Sequence, residues 1–311
     1  MNHDLFLRRP PIATPLTFEE LQDLIRDDPG LSPLVNDEHT TPERLVLANP
    51  DTGAYVMVAP GGPPEGLFTE EPVEEAEDEL GGLPDLAAPL DHLHVQIPYL
   101  WPRPLAAEGA EMTVALARVL KWALEDSADP AATPPADRDV DAVLRSWEAA
   151  RKSLVAELAA DPEAGELRRL PAALLAGIHG SNRRRRETLA AAGPGVEVPR
   201  LVLVELGGEE PGALCRYTAG EPVWLPDAAT HVLLARKKKG FLGYRDEEVV
   251  VRADELRALL GRAEKAGEAP AGRRSYRPTW PATDKIWGTI AGRPPKEASV
   301  IDPSGVIEAE A

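Results

Sequence analysis

Between Asp126 and Ala136 the chain reads DSADPAATPPA, and no other feature limits its fold as much. Proline fixes φ, lacks a backbone donor and disfavours helix at the residue before it, so neither a helix nor a central strand runs through such a stretch. The chain is expected to divide there, which suits 311 residues on a scale of about 150 per domain. The expected organisation is an acidic module over 1–127, a helical segment over 137–193, a β-rich module over 194–265 and a Pro-containing tail over 266–311. Pro and Gly number 32 and 25, below the share of roughly 25–30% at which low-complexity disorder becomes the default. Packed cores are therefore expected on both sides of the division.

The two sides differ sharply in charge. Met1 to Pro130 holds seven Lys and Arg against 25 Asp and Glu, whereas Ala131 to Ala311 holds 27 of each. The whole net charge of −18 belongs to the N-terminal part. A field of that sign speeds encounter with cationic surfaces and opposes contact with phosphate backbones. No nucleic-acid partner is expected, and a basic protein partner is. The densest carboxylate run is Glu70, Glu71, Glu74, Glu75, Glu77, Asp78 and Glu79, bounded by Gly61-Gly62-Pro63-Pro64 and Gly81-Gly82. Its flanks mark a solvated loop, and its charge makes it the candidate partner-binding element.

Periodicity supplies the elements. Asp4 to Arg8 reads as a strand, and LVLANPDTGAYVMVA as a β-hairpin turning at Asn49-Pro50-Asp51-Thr52-Gly53. Thr17 with Glu20 three residues on forms a capping box for a helix ending by Pro29-Gly30. His92 to Leu100 reads as a strand and Glu108 to Glu125 as a helix with an apolar stripe. Strands around a hairpin with helices on one side make an α+β layer with a mainly antiparallel sheet. Beyond the connection, Val140, Leu144, Trp147, Leu154, Val155 and Leu158 form a helical stripe. Further helices are expected over Leu167 to Ile178 and Arg183 to Ala192, then a small, mostly antiparallel β module from Val196 and a helix from Asp254 to about Lys265. The tail keeps Trp280, Ile286, Trp287, Ile290, Val300 and Ile301. Side chains this large predict that it docks in part on the body.

Each candidate chemistry meets a competing explanation. Asp137, Asp139, Asp141 and Glu148 occupy positions of a calcium-loop template, but Ala142 stands where that loop needs Gly, and a helix start accounts for the acids. His92 and His94 alternate on one strand face beside Asp91, with His39, Asp37 and Glu38 in a separate loop; a third metal ligand is not defined. Gly180-Ser181-Asn182 before four arginines reads as a turn feeding a basic helix start, which makes Arg183, Arg184 and Arg186 candidate anion-binding residues. Arg236, Lys237, Lys238 and Lys239 with Phe241 and Tyr244 have the composition of a single-stranded nucleic-acid site, but Asp246, Glu247 and Glu248 follow at once, so the hairpin tip reads as locally cancelled. Ser181 near His179, and Cys215 with His231, carry no nucleophile signature. Phosphate-loop and dinucleotide fingerprints are absent.

The lone Cys215 excludes an intrachain disulfide. The longest apolar runs fall far short of the roughly 20 residues a membrane span needs, and MNHDLFLRRPPIATP lacks the pattern of a secretory signal. A cytoplasmic protein without cofactor or metal is expected. The leading functional expectation is a non-enzymatic acidic interaction module, such as an immunity or inhibitor protein against a cationic toxin. An enzyme using His92, His94 or His179 in a site between modules, or a structural subunit of a larger assembly, are the alternatives.

Overall fold

Thr17 opens the first helix through the reciprocal bonds its spacing predicts. The Glu20 backbone N–H donates to Thr17 Oγ1 at 3.3 Å, and the Thr17 N–H donates to Glu20 Oε2 at 2.8 Å. The computed structural model describes residues 1–62, 87–128, 139–161, 167–207, 210–240, 243–260, 265–268, 274–276, 287, 289–290, 292–303 and 306–309. It is an α+β chain of two compact units, Met1–Arg168 and Arg169–Ala311. Among the described residues, no helix is long and apolar enough to cross a membrane.

Unit 1 runs β1 (Asn2–Arg8), α1 (Phe18–Asp27), β2 (Leu45–Ala48), β3 (Tyr55–Pro60), β4 (His92–Pro98), α2 (Arg103–Leu120), β5 (Ala123–Asp126) and α3 (Val140–Ala160). The strands form one antiparallel sheet in the order β2-β3-β4-β1-β5. The β2–β3 hairpin turns as its residues dictate, with Gly53 at φ 84° and the Gly53 N–H donating to the Asn49 carbonyl at 2.8 Å. Leu5, Leu7, Leu47, Val56, Val95 and Ile97 face a core shared with Phe18, Leu21 and Ile25 of α1. Gly109 lets α2 press close to the sheet: a Cβ there would stand 3.4 Å from Ile97 and 3.5 Å from Val56.

Two boundaries differ from those expected. The helix anticipated from Glu108 to Glu125 ends at Leu120, because Lys121 takes the left-handed conformation (φ 56°) and closes it. The residues that follow alternate in burial as β5, with Leu124 and Asp126 buried. The helical segment read over 137–193 also divides between the units. Val143, Leu144 and Trp147 of α3 belong to the unit 1 core, and the Trp147 indole donates to the Pro98 carbonyl at 3.2 Å. That packing carries α3 with the residues before the Pro/Ala-rich connection and moves the break to Arg168/Arg169.

Next in chain order come β6 (Arg168–Pro171), α4 (Ala172–Arg183), α5 (Arg185–Ala192), β7 (Val202–Leu206), β8 (Gly212–Thr218), β9 (His231–Gly240), β10 (Gly243–Arg252), α6 (Ala253–Leu260), β11 (Lys265–Glu268), β12 (Arg274–Tyr276), β13 (Ala298–Val300) and β14 (Val306–Ala309). Pro171 sits at the start of α4, so the helix anticipated from Leu167 begins five residues later and a short strand precedes it. The main sheet of unit 2 has the order β10-β9-β8-β7-β13, antiparallel except for the β8–β9 pair. Cys215, Tyr217, Val232 and Leu234 pack with Leu256 and Leu260 of α6. Part of the tail docks, although Val300 is exposed and Trp280 and Ile286 lie outside the described residues. Trp287 and Ile290 lie on that core, β13 extends the sheet, Ile301 is buried and β14 pairs with β6.

Candidate functional site

The candidate acidic element Glu70, Glu71, Glu74, Glu75, Glu77, Asp78 and Glu79 lies outside the described residues. The described part of unit 1 presents a second acidic face that the residue count along the chain already contains. From Thr17 to Arg44 stand Glu19, Glu20, Asp23, Asp27, Asp28, Asp37, Glu38 and Glu43 against Arg26 and Arg44. All of these carboxylates except Asp28 are exposed. Alternation of apolar and polar residues around α1 causes this: Phe18, Leu21 and Ile25 turn into the core, and Glu19, Glu20, Asp23 and Asp27 turn out.

Beside α1 is a cavity of about 730 Å³ lined by Glu19, Gln22, Asp23, Arg26, Thr41 and Pro42 among others. Its floor is held by Gln22, whose amide donates to the Thr41 carbonyl at 3.0 Å and accepts from Arg26 at 3.3 Å. Arg26 also reaches Asp37 at 3.2 Å. Ala87, where the described chain resumes, lines the same cavity. Glu19 and Asp23 thus border a concave space whose neighbouring cation, Arg26, is already engaged. Such a space suits a Lys or Arg side chain.

The histidines separate by face of the sheet. His94 Nε2 lies 2.7 Å from Asp4 Oδ1, which also accepts from the Gln96 amide at 3.0 Å, and the His94 ring stacks on Phe6 at 5.0 Å. Burial raises the Asp4 carboxyl, but the bonds from His94 and Gln96 and the charges of His94 and His3 outweigh it, and its pKa falls below the ordinary value. An ionised Asp4 is an acceptor for the proton carried on His94 Nε2. His92 lies on the same face two residues away. On the core face His3 is fully buried, with Nε2 3.3 Å from Asp126 and Nδ1 3.1 Å from the Tyr99 hydroxyl. Burial raises Asp126, but the His3 bond and charge and the Ala128 N–H bring it below its ordinary value. Burial first, then the charges of Asp4 and Asp126, push Tyr99 up to about 12. Sequence reading missed both pairs, because strand register alone brings residues about 90 and 120 positions apart into contact. Among the described residues, no group of three or more His, Cys, Asp or Glu is placed to hold a metal.

The expected anion site has a different local structure. Gly180, Ser181 and Asn182 lie within α4, so the turn invoked for them is continuous helix. Buried Asn182 donates to the Leu201 carbonyl at 2.9 Å and accepts from its N–H at 2.8 Å. Arg183 ends α4, Arg184 joins the helices and Arg186 lies in the first turn of α5, all three exposed. Arg185 instead donates to the Val198 carbonyl at 2.6 Å. Asp139 caps α3 by accepting from the Ala142 N–H at 2.8 Å, which accounts for one acid of the calcium-like pattern. Cys215 is buried, and desolvation pushes its thiol up to about 12. His231 stands across from Leu214, and Cys215 across from Val232. Cys215 and His231 therefore face opposite sides of the sheet and do not form a nucleophile pair. No protein-family model, curated protein or solved structure matches the chain.

Proposed function

We propose that unit 1 is an acidic docking module that captures a basic protein, the role an immunity or inhibitor protein fills against a cationic toxin. One observation carries the reading: the segment from Thr17 to Arg44 exposes seven carboxylates, and two of them, Glu19 and Asp23, line a cavity whose own arginine is engaged by Gln22 and Asp37. Packing does not require these acids, since the core side of α1 is made by Phe18, Leu21 and Ile25. A single-sign surface accelerates capture of an oppositely charged partner and loses that advantage as salt rises.

The test measures association of the full chain with a fluorescein-labelled Lys/Arg-rich peptide at low and high salt. Combined Glu19→Gln, Asp23→Asn and Glu43→Gln should slow association about tenfold at low salt. A matched set away from the cavity, Glu111→Gln, Asp141→Asn and Glu157→Gln, should change it much less. Equal effects of the two sets, or capture indifferent to salt, would overturn the assignment to this face.

A further inference from the structure

We propose that Arg26 holds, inside the molecule, the place that an arginine of the basic partner takes on binding. This role rests on the reading of unit 1 as an acidic docking module, and it specifies which side chain the cavity receives and what competes for it. Glu19, Gln22, Asp23 and Arg26 line the cavity together, because positions i, i+3, i+4 and i+7 of α1 fall on one face of the helix. Of the two basic residues between Thr17 and Arg44, Arg26 belongs to that lining and Arg44 does not. The acidic face therefore already carries one guanidinium, supplied by its own helix.

The contacts of that guanidinium show what the cavity recognises. Its Nη1 donates to Gln22 Oε1 at 3.3 Å and its Nη2 to Asp37 Oδ1 at 3.2 Å. Two acceptors from separate segments, one neutral and one charged, are met by two nitrogens of one plane. A guanidinium fork offers that geometry and a compact ammonium does not. Gln22 is buried, and its amide donates to the Thr41 carbonyl at 3.0 Å, so Oε1 is held in place independently of Arg26.

The hold on Arg26 itself is loose. Both bonds lie at the long end of the usual range, and the side chains of Arg26 and Asp37 are 39% and 79% exposed, so water and salt compete for the pair. Arg9 shows the alternative within the same unit. Its side chain is 16% exposed and donates to Asp91 Oδ1, the Leu90 carbonyl and the Ala13 carbonyl at 2.6, 2.9 and 3.0 Å. By these contacts Arg9 is a fixture of the fold and Arg26 an exchangeable occupant. An incoming arginine meets acceptors already placed for a guanidinium, with Glu19 and Asp23 lining the same cavity, and water replaces most of what the displaced Arg26 gives up.

The experiment titrates the full chain with fluorescein-labelled oligo-arginine and oligo-lysine of equal length, read by anisotropy at low salt. Wild type should bind oligo-arginine more tightly. Arg26→Gln frees the acceptors and should tighten oligo-arginine binding by up to about fivefold, the factor that an exposed ion pair can withhold. Arg26→Lys keeps the charge but loses the fork, and should tighten it by a smaller factor. Arg44→Gln removes the same charge outside the cavity and should change binding less than Arg26→Gln does. Melting of Arg26→Gln, followed by circular dichroism, should match wild type, because Gln22 keeps its bond to Thr41. Equal effects of Arg26→Gln and Arg44→Gln, weaker binding by Arg26→Gln, or equal affinity for the two peptides would each overturn the proposal. Combined Glu19→Gln, Asp23→Asn and Glu43→Gln, run alongside, separates it from the reading it rests on. If that set weakens capture while Arg26→Gln does not strengthen it, the acidic face stands and the competition falls; if that set leaves capture unchanged, both fall.

Discussion

Unit 1 carries 33 Asp and Glu against 12 Lys and Arg, and unit 2 carries 19 against 22, yet both build a five-stranded sheet with a helix-covered core. Net charge is therefore not what distinguishes the two folds. It is a surface property that packing leaves free to vary, and in unit 1 ion pairs join Arg8 to Glu125, Arg9 to Asp91, Arg26 to Asp37 and Arg103 to Glu148. The units also treat buried polar groups differently. Unit 1 ties His3, Asp126 and Tyr99 into one network across β1, β5 and the end of β4. Unit 2 satisfies Asn182 locally against one residue's backbone.

If the two cores are separate, damage to one spares the other. Trp147→Ala removes a fully buried indole from unit 1 and should cost about 3–5 kcal/mol there. Hydrogen exchange read by mass spectrometry should then show lost protection in unit 1 peptides and wild-type protection in unit 2. Equal loss in both would show that they fold as one. The converse variant, Asn182→Ala, strands the N–H and C=O of Leu201 and should cost unit 2 about 2–6 kcal/mol at roughly 1–3 per unsatisfied group, with unit 1 unmoved.

Acid should act on the units with opposite signs. Asp4 and Asp126 are depressed, so their contribution to unit 1 is present above the ordinary value of 3.8 and is lost as pH falls below it through the folded values. Glu197 is raised from 4.5, by burial first and then by Glu221. It lowers the stability of unit 2 above its folded value, and that loss is relieved as pH falls toward 4.5. Calorimetry at stepped pH should show the unit 2 transition rising before the unit 1 transition falls; a joint fall from neutrality would contradict both assignments. The smallest effect belongs to Tyr217→Phe, which removes only the hydroxyl of a buried ring. Urea unfolding should place its stability within about 1 kcal/mol of wild type, whereas a larger loss would reveal a strong bond to that hydroxyl.

Local rules made α1, its capping box and the β2–β3 hairpin legible, because each depends on residues within a few positions of one another. The same locality makes the acidic count from Thr17 to Arg44 legible beside the denser run from Glu70 to Glu79, which lies outside the described residues. The helix stop at Lys121 was not legible, since a left-handed lysine leaves no mark of the kind glycine does.

Residue order alone determined the charge asymmetry, the class of most elements and the apolar content that makes the tail dock. Tertiary structure decided that α3 joins unit 1, that His94 meets Asp4 and His3 meets Asp126, and that Glu247 engages Arg236. The reason is one of range. Composition, caps and turns act over a few bonds, whereas register and helix docking are set by which distant apolar faces bury each other, and that choice places every polar side chain they carry.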